Sequence, residues 1–217
     1  MYRRIYMPVL CMAGVLLNIA SNRFCIWAGI PLYLDTVFTI SVTMVSGLFW
    51  GCLCGALTNL ITTTFSFWGA YLFALCSIAT AVITWLFTRL FSRELYLGTE
   101  TPGNTVTLKV KVRSRRLTTV MDRMIALILL SFALCLAMSI LGGFIAGFIQ
   151  IVNPSLTDKW GISVWTISMF SENLPIILRE ILSRIPINIV DRLVSVFAGF
   201  GAAVLIRKVM GKLAVRN

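Results

Sequence analysis

Long apolar stretches alternate with short polar or glycine- and proline-containing breaks along most of this chain. A helix needs about 20 mostly apolar residues to cross a bilayer. The pattern predicts six such helices, at residues 5–21, 32–48, 50–65, 68–90, 122–151 and 186–207. The second and third are separated only by Gly47 to Gly51, which predicts a tight hairpin. The predicted fold class is an all-α membrane protein, a six-transmembrane-helix bundle in a single domain over residues 1–217.

Two polar stretches interrupt this pattern. Residues 91–121 contain a basic run and predict a solvated loop, although the alternation over 105–112 leaves a small β-hairpin open. Residues 152–185 predict a second loop on the opposite side of the membrane. Its last part, from Ser171 onward, is amphipathic and too short to span. We expect a short interfacial helix there, before the last span, ending ahead of Pro186.

The composition excludes a soluble globular protein. Hydrophobic residues make up 59% of the chain, the mean hydropathy is +0.92 and charged residues make up 12%, against roughly 25% charged residues in soluble domains. The lipid bilayer is therefore the expected surrounding. The excess of 19 basic over 8 acidic residues is then explained by the orientation of the protein in the membrane rather than by a nucleic-acid partner.

The basic residues are distributed unevenly between the two sides. With the N-terminus inside, the cytoplasmic side has two near the N-terminus, eight over residues 89–123 and four after residue 206, fourteen together, against four outside. Cytoplasmic loops carry the excess of Lys and Arg. We therefore predict a multi-pass protein of the bacterial cytoplasmic (inner) membrane, with both termini and the 91–121 loop in the cytoplasm.

The residues that nucleophilic catalysis, metal sites and phosphate binding usually require are missing from the sequence. The chain has no histidine, which removes Ser-His and Cys-His nucleophile systems. The six cysteines include only one C-x-C pair, Cys52 and Cys54, and no second pair at metal-binding spacing. No phosphate-binding loop is present. We predict no catalytic residues, no metal and no cofactor, and we do not expect an enzyme.

Polar side chains within the apolar stretches concentrate toward the outer side. Asp35 and Thr36 open the second predicted helix, and Asn188, Asp191 and Arg192 open the sixth. Ionisable groups at that depth cost a few kcal/mol unless they are paired or hydrated. Two interpretations stay open. One is a salt bridge that packs helices together, such as Asp35 to Arg192. The other is contact with a ligand in an externally open pocket. A single pair of residues can have both roles.

Amides and aromatics at the same level extend this candidate site. Buried amides also hold membrane helices together, and aromatics also form the interfacial belt, so each residue has a structural alternative. The predicted substrate-binding residues are Asn18, Asn22, Tyr33, Asp35, Thr36, Asn59, Trp68, Asn188, Asp191 and Arg192. Small residues at helix spacing allow close backbone approach. Gly47, Gly51 and Gly55 are predicted to dock a partner subunit, with internal packing as the alternative.

Two segments resemble one family of membrane proteins. The string IPLYLDTVFTISVTMVSGLFWGCLCGALTNLI, residues 30–61, is similar to the second and third helices of the S components of energy-coupling factor (ECF) importers, and IPINIVDRLVSVFAGFGAAVLIRKV, residues 185–209, is similar to their sixth helix. In that family a Pro and an Asp at the outer end precede a glycine-containing hairpin and an Asn-bearing third helix.

The resemblance implies a six-helix subunit that binds a micronutrient from outside with high affinity. Its partners would be a coupling transmembrane subunit and two ABC-type ATPases. Riboflavin is the leading ligand, followed by thiamine or its pyrimidine precursor. The A-x-x-x-A docking motif that many members carry in helix 1 is absent, since Leu17 stands four residues after Ala13. The alternative function is a non-transporting membrane scaffold or assembly protein.

Overall fold

The computed structural model describes the backbone of residues 2–64, 70–92, 95, 109–152 and 174–215, and the side chains of residues 6–64, 71–92, 95, 120–152 and 174–211. These parts of the chain are mostly helical and contain no strand, which confirms the all-α class for them. The helices are α1 (Tyr2–Trp27), α2 (Val37–Ser46), α3 (Leu48–Thr63), a 3₁₀ helix (Ala70–Phe73), α4 (Ala74–Leu90), α5 (Lys109–Val152) and α6 (Ile176–Val215).

Within the described residues, four stretches are long and apolar enough to cross a membrane: Tyr6–Trp27, Tyr71–Leu90, Val120–Val152 and Ile176–Gly211. They lie in α1, α4 with its preceding 3₁₀ turn, α5 and α6. Helices α2 and α3 have 10 and 16 residues, or roughly 15 and 24 Å at 1.5 Å per residue, against a hydrocarbon core of about 30 Å. The prediction of six spans is therefore confirmed only in part.

The predicted hairpin joins α2 and α3 through the single residue Gly47. Its φ of 90° lies in the left-handed region, where glycine meets no steric cost. A Cβ added at Gly51 would lie 3.1 Å from the Thr43 Cα, so the two helices turn back on each other at close range. A single glycine is enough to reverse the chain here.

The first turn of the predicted second helix does not form. That helix was expected from residue 32, but α2 begins at Val37 and residues 28–36 are largely non-helical. Leu34 has a φ of 43°, which is incompatible with a right-handed helix. Its backbone N–H, like that of Tyr33, donates to Asp191 on α6. A tertiary contact has replaced the helical hydrogen bonds.

Helices α5 and α6 form a long antiparallel pair. Helix α5 begins at Lys109, not at residue 122, so the predicted loop is wrong for residues 109–121 and the strand alternative is wrong for residues 109–112. Residues 96–108 lie outside the described part of the chain. The predicted break at Pro186 is also wrong, since α6 runs through it from Ile176. The segment expected to lie separately at the interface is the first part of this helix.

Packing on both sides of Pro186 explains why the helix continues. A proline inside a helix costs about 3 kcal/mol, and tertiary contacts can offset that cost. Before Pro186, Ile181 packs against Gly143 of α5. After it, Asn188 donates a hydrogen bond to Ser139 of the same helix. Helix α5 therefore holds both halves of α6 in line.

Helix α2 is the centre of the bundle. Seven of its ten residues are buried, and it contacts α1, α3, α4 and α6. One apolar cluster joins Ile40 of α2 to Leu130 and Leu134 of α5 and Val196 of α6. A second cluster joins α2 to α1 and α3, through Cys11, Val15, Val42 and Cys54. The non-helical segment that leads into α2 is thus anchored to the most buried element.

Candidate functional site

A buried cluster of charged side chains joins residues 28–36 to α6. Arg192 Nη2 lies 2.5 Å from Asp191 Oδ2 and 3.7 Å from Asp35 Oδ1. The side chains of Asp191 and Arg192 are 0% and 5% exposed, whereas that of Asp35 is 27% exposed. The salt bridge between Asp35 and Arg192, one of the two interpretations that the sequence leaves open, is therefore present. We call Asp35, Asp191 and Arg192 the charge cluster.

The charge cluster holds the segment before α2 in place. Asp191 Oδ1 accepts hydrogen bonds from the backbone N–H groups of Tyr33 (2.9 Å) and Leu34 (3.0 Å). Arg192 Nη1 donates to Thr36 Oγ1 at 2.6 Å. Hydrogen bonds to ionised groups are about twice as strong as neutral ones. They offset the left-handed conformation of Leu34, which costs about 1 to 3 kcal/mol.

The two carboxylates of the charge cluster differ in how well nearby positive charges and hydrogen-bond donors compensate them. Asp191 has the short contact with Arg192 and two backbone donors, whereas the contact of Asp35 with Arg192 is longer. Apart from their ion pairs with Arg192, the buried oxygens Asp35 Oδ1 and Asp191 Oδ2 accept no hydrogen bond from the described residues. Burial raises the pKa of the Asp35 carboxyl above its ordinary value, and Arg192 opposes that shift. Asp35 is thus the less compensated of the two carboxylates.

Asn18 and Asn22 support the same segment from α1. Asn18 Oδ1 accepts a hydrogen bond from the backbone N–H of Phe38, in the first turn of α2, at 2.9 Å. Its Nδ2 donates to Thr39 Oγ1 at 3.0 Å and to Thr58 Oγ1 at 3.4 Å. Asn18 therefore caps α2 from a different helix and also ties it to α3. Asn22 Nδ2 donates to the Tyr33 carbonyl oxygen at 2.9 Å.

Replacement of Asn18 by alanine should destabilise the protein by about 1 to 3 kcal/mol, because a buried N–H donor of α2 loses its acceptor. Thermal unfolding in detergent, followed by circular dichroism, measures this change. Ser21→Ala is the control: its hydroxyl bonds only to the Leu17 carbonyl oxygen within α1, and we expect less than about 0.5 kcal/mol. Equal effects would contradict the capping role.

A second buried polar cluster lies earlier on α6. Glu180 is fully buried; its Oε1 accepts from Gln150 Nε2 at 2.8 Å, and its Oε2 lies 3.5 Å from Arg184 Nη2. The Arg184 guanidinium also lies 5.6 Å from the centre of the Phe73 ring. Sequence reasoning missed this cluster. Two features of the sequence could have predicted it: the spacing of four residues between Glu180 and Arg184, and Gln150 inside the fifth apolar stretch.

The remaining predicted residues have other surroundings. Asn188 Nδ2 donates to Ser139 Oγ at 2.9 Å. Asn59 Nδ2 contacts Ser77 Oγ of α4 and donates to the Gly55 carbonyl oxygen at 3.4 Å. Trp68 lies outside the described residues. The structure therefore brings Tyr33, Asp35, Thr36, Asp191 and Arg192 together. From α1, Asn22 bonds to the Tyr33 carbonyl oxygen and Asn18 to the first turn of α2.

Two of the three predicted docking glycines are used inside the bundle. Gly51 packs against Thr43 of α2, and a Cβ at Gly55 would lie 3.0 Å from the Ser77 carbonyl oxygen of α4. These contacts are the internal-packing alternative to docking. A Cβ at Gly47 would meet nothing within 4 Å, so this position alone of the three is open.

Comparison with known proteins identifies no relative: no family model, no curated protein and no solved structure matches this chain. The four apolar helices of spanning length indicate a membrane protein, and the charge cluster is its candidate functional site.

Proposed function

We propose that this protein is the substrate-binding S component of an ECF importer and that it binds a small water-soluble vitamin from the outer side of a bacterial cytoplasmic membrane. One observation carries the proposal. The two segments that resemble that family contact each other directly, although Tyr33 and Asp191 stand 158 positions apart. Further along the same helices, Ser41 Oγ donates to the Gly199 carbonyl oxygen at 2.8 Å.

The chemistry of the charge cluster supports a binding role. Ionisable groups within an apolar bundle are costly and most often serve a pathway or a ligand. Non-helical backbone at membrane depth is tolerated where it is buried in protein or lines a cavity. Residues 28–36 combine both features, since they carry Asp35 and reach α6 through Asp191. Riboflavin and thiamine are the ligand candidates, and the coupling subunit with its two ATPases would supply the energy.

A non-transporting scaffold is the second candidate. The observation that favours it is the ion pair of Arg192 with Asp35 at 3.7 Å and its hydrogen bond to Thr36, because these contacts also serve to hold α6 and the segment before α2 together. A thermal-shift screen of the purified protein with vitamins separates the two functions. A binding subunit is stabilised by its ligand through mass action, whereas a scaffold is not.

Reconstitution in liposomes tests the transport proposal. The purified chain should bind radiolabelled riboflavin or thiamine but accumulate neither under a pH or sodium gradient. Uptake should begin only when the coupling subunit, both ATPases and ATP are supplied. Concentrative uptake by the chain alone would identify a secondary transporter instead. Failure to bind either vitamin would favour the scaffold.

A further inference from the structure

Asp35 differs from its neighbours in two ways that bear on the class of ligand. Its side chain is 27% exposed, whereas those of Asp191 and Arg192 are 0% and 5% exposed. Its contact with Arg192 is 3.7 Å long, beyond hydrogen-bonding distance. Asp35 is therefore the member of the charge cluster that a molecule from outside can reach, and the one that Arg192 holds least firmly.

Acidic groups outnumber basic groups in the charge cluster. Arg192 pairs with Asp191 at 2.5 Å and with Asp35 at 3.7 Å, so two carboxylates share one guanidinium group. Burial raises the pKa of the Asp35 carboxyl and so disfavours its charged form, which a further cation would stabilise. The phenol of Tyr33, beside the charge cluster, adds no charge, since burial raises its pKa. This comparison of acidic with basic groups covers the described residues.

We propose that Asp35 contacts the ligand directly and that the ligand presents a positively charged group to it. The inference rests on the proposed function and specifies its substrate class: a cationic ring compound such as thiamine is bound in preference to the neutral riboflavin. A cation beside the exposed part of Asp35 stabilises its ionised carboxylate. Without such a cation, a partly buried carboxylate whose ion pair is long has a desolvation cost.

Binding measurements on the full chain in detergent test this inference, with thiamine and riboflavin as probes and isothermal titration calorimetry as the readout. Wild-type protein should bind thiamine more tightly than riboflavin. Asp35→Asn should weaken thiamine binding at least tenfold, and Asp35→Glu should retain most of the affinity because it keeps the charge. The matched control is Asp122→Asn, an exposed carboxylate on α5, which should bind like wild type.

The outcomes separate the two proposals. Tighter binding of riboflavin than of thiamine by wild-type protein overturns the substrate class and leaves the proposed function standing, and this comparison needs no variant. Unchanged thiamine affinity in Asp35→Asn, with the variant monodisperse in size-exclusion chromatography, overturns direct contact by Asp35. If wild-type protein binds neither vitamin, the proposed function fails and the inference fails with it.

Discussion

Replacing Arg192 with methionine should lower the free energy of unfolding by about 3 to 5 kcal/mol, the usual cost of removing one partner from a buried ion pair. Methionine retains the apolar volume of the arginine stem but leaves Asp191 and Asp35 without their shared cation. The hydrogen bond to Thr36 is lost as well. Thermal unfolding in detergent, followed by circular dichroism and tryptophan fluorescence, measures the loss.

The matched control is Arg89→Met on α4. Arg89 is exposed and lies 5.3 Å from the centre of the Trp85 ring, a contact worth about 0.5 to 1 kcal/mol at an exposed site. Adding Asp35→Asn to Arg192→Met should restore part of the lost stability, because one uncompensated charge is removed. Equal stability of the Arg192 and Arg89 variants would show that the charge cluster does not hold residues 28–36 on α6.

Replacing Gly143 with valine should separate α5 from α6 and cost at least about 2 kcal/mol, at the upper part of the range for overpacked cores. A Cβ at this position would lie 2.7 Å from the Ile181 Cα and 2.8 Å from its backbone nitrogen. Since these are backbone atoms, no change of side-chain rotamer can relieve the clash. The same contact helps to keep α6 straight before Pro186.

Gly201→Val is the control for this substitution. Gly201 lies on α6 and is exposed, and a Cβ there would meet nothing within 4 Å. We expect its effect to stay within about 0.5 kcal/mol. Thermal unfolding of both variants in the same detergent provides the comparison. A Gly143 variant as stable as the Gly201 variant would mean that the two helices do not approach as closely as the structure shows.

The boundaries that sequence analysis misjudged depend on distant partners. Pro31 and the apolar run after it are compatible with a helix from residue 32, but contacts with distant residues, among them the carboxylate of Asp191, hold the backbone at Leu34 in another conformation. Pro186 locally favours a helix end, and only the contacts of α5 on both sides of it keep α6 continuous. Asn18 has no neighbour in sequence that reveals its role as a cap for α2.

The sequence by itself predicted the helical class and six spans, of which four have helices of spanning length among the described residues, and it offered the pairing of Asp35 with Arg192 as one of two interpretations. Each follows from the cost of placing polar or charged groups in apolar surroundings, which acts on composition and spacing alone. The tertiary structure decided where α2 begins, that α6 continues through Pro186, and that Asp191 rather than Asp35 has the closest contact with Arg192. Those outcomes depend on which groups meet in space, because a hydrogen bond or ion pair between residues far apart in sequence outweighs the preference of the local chain.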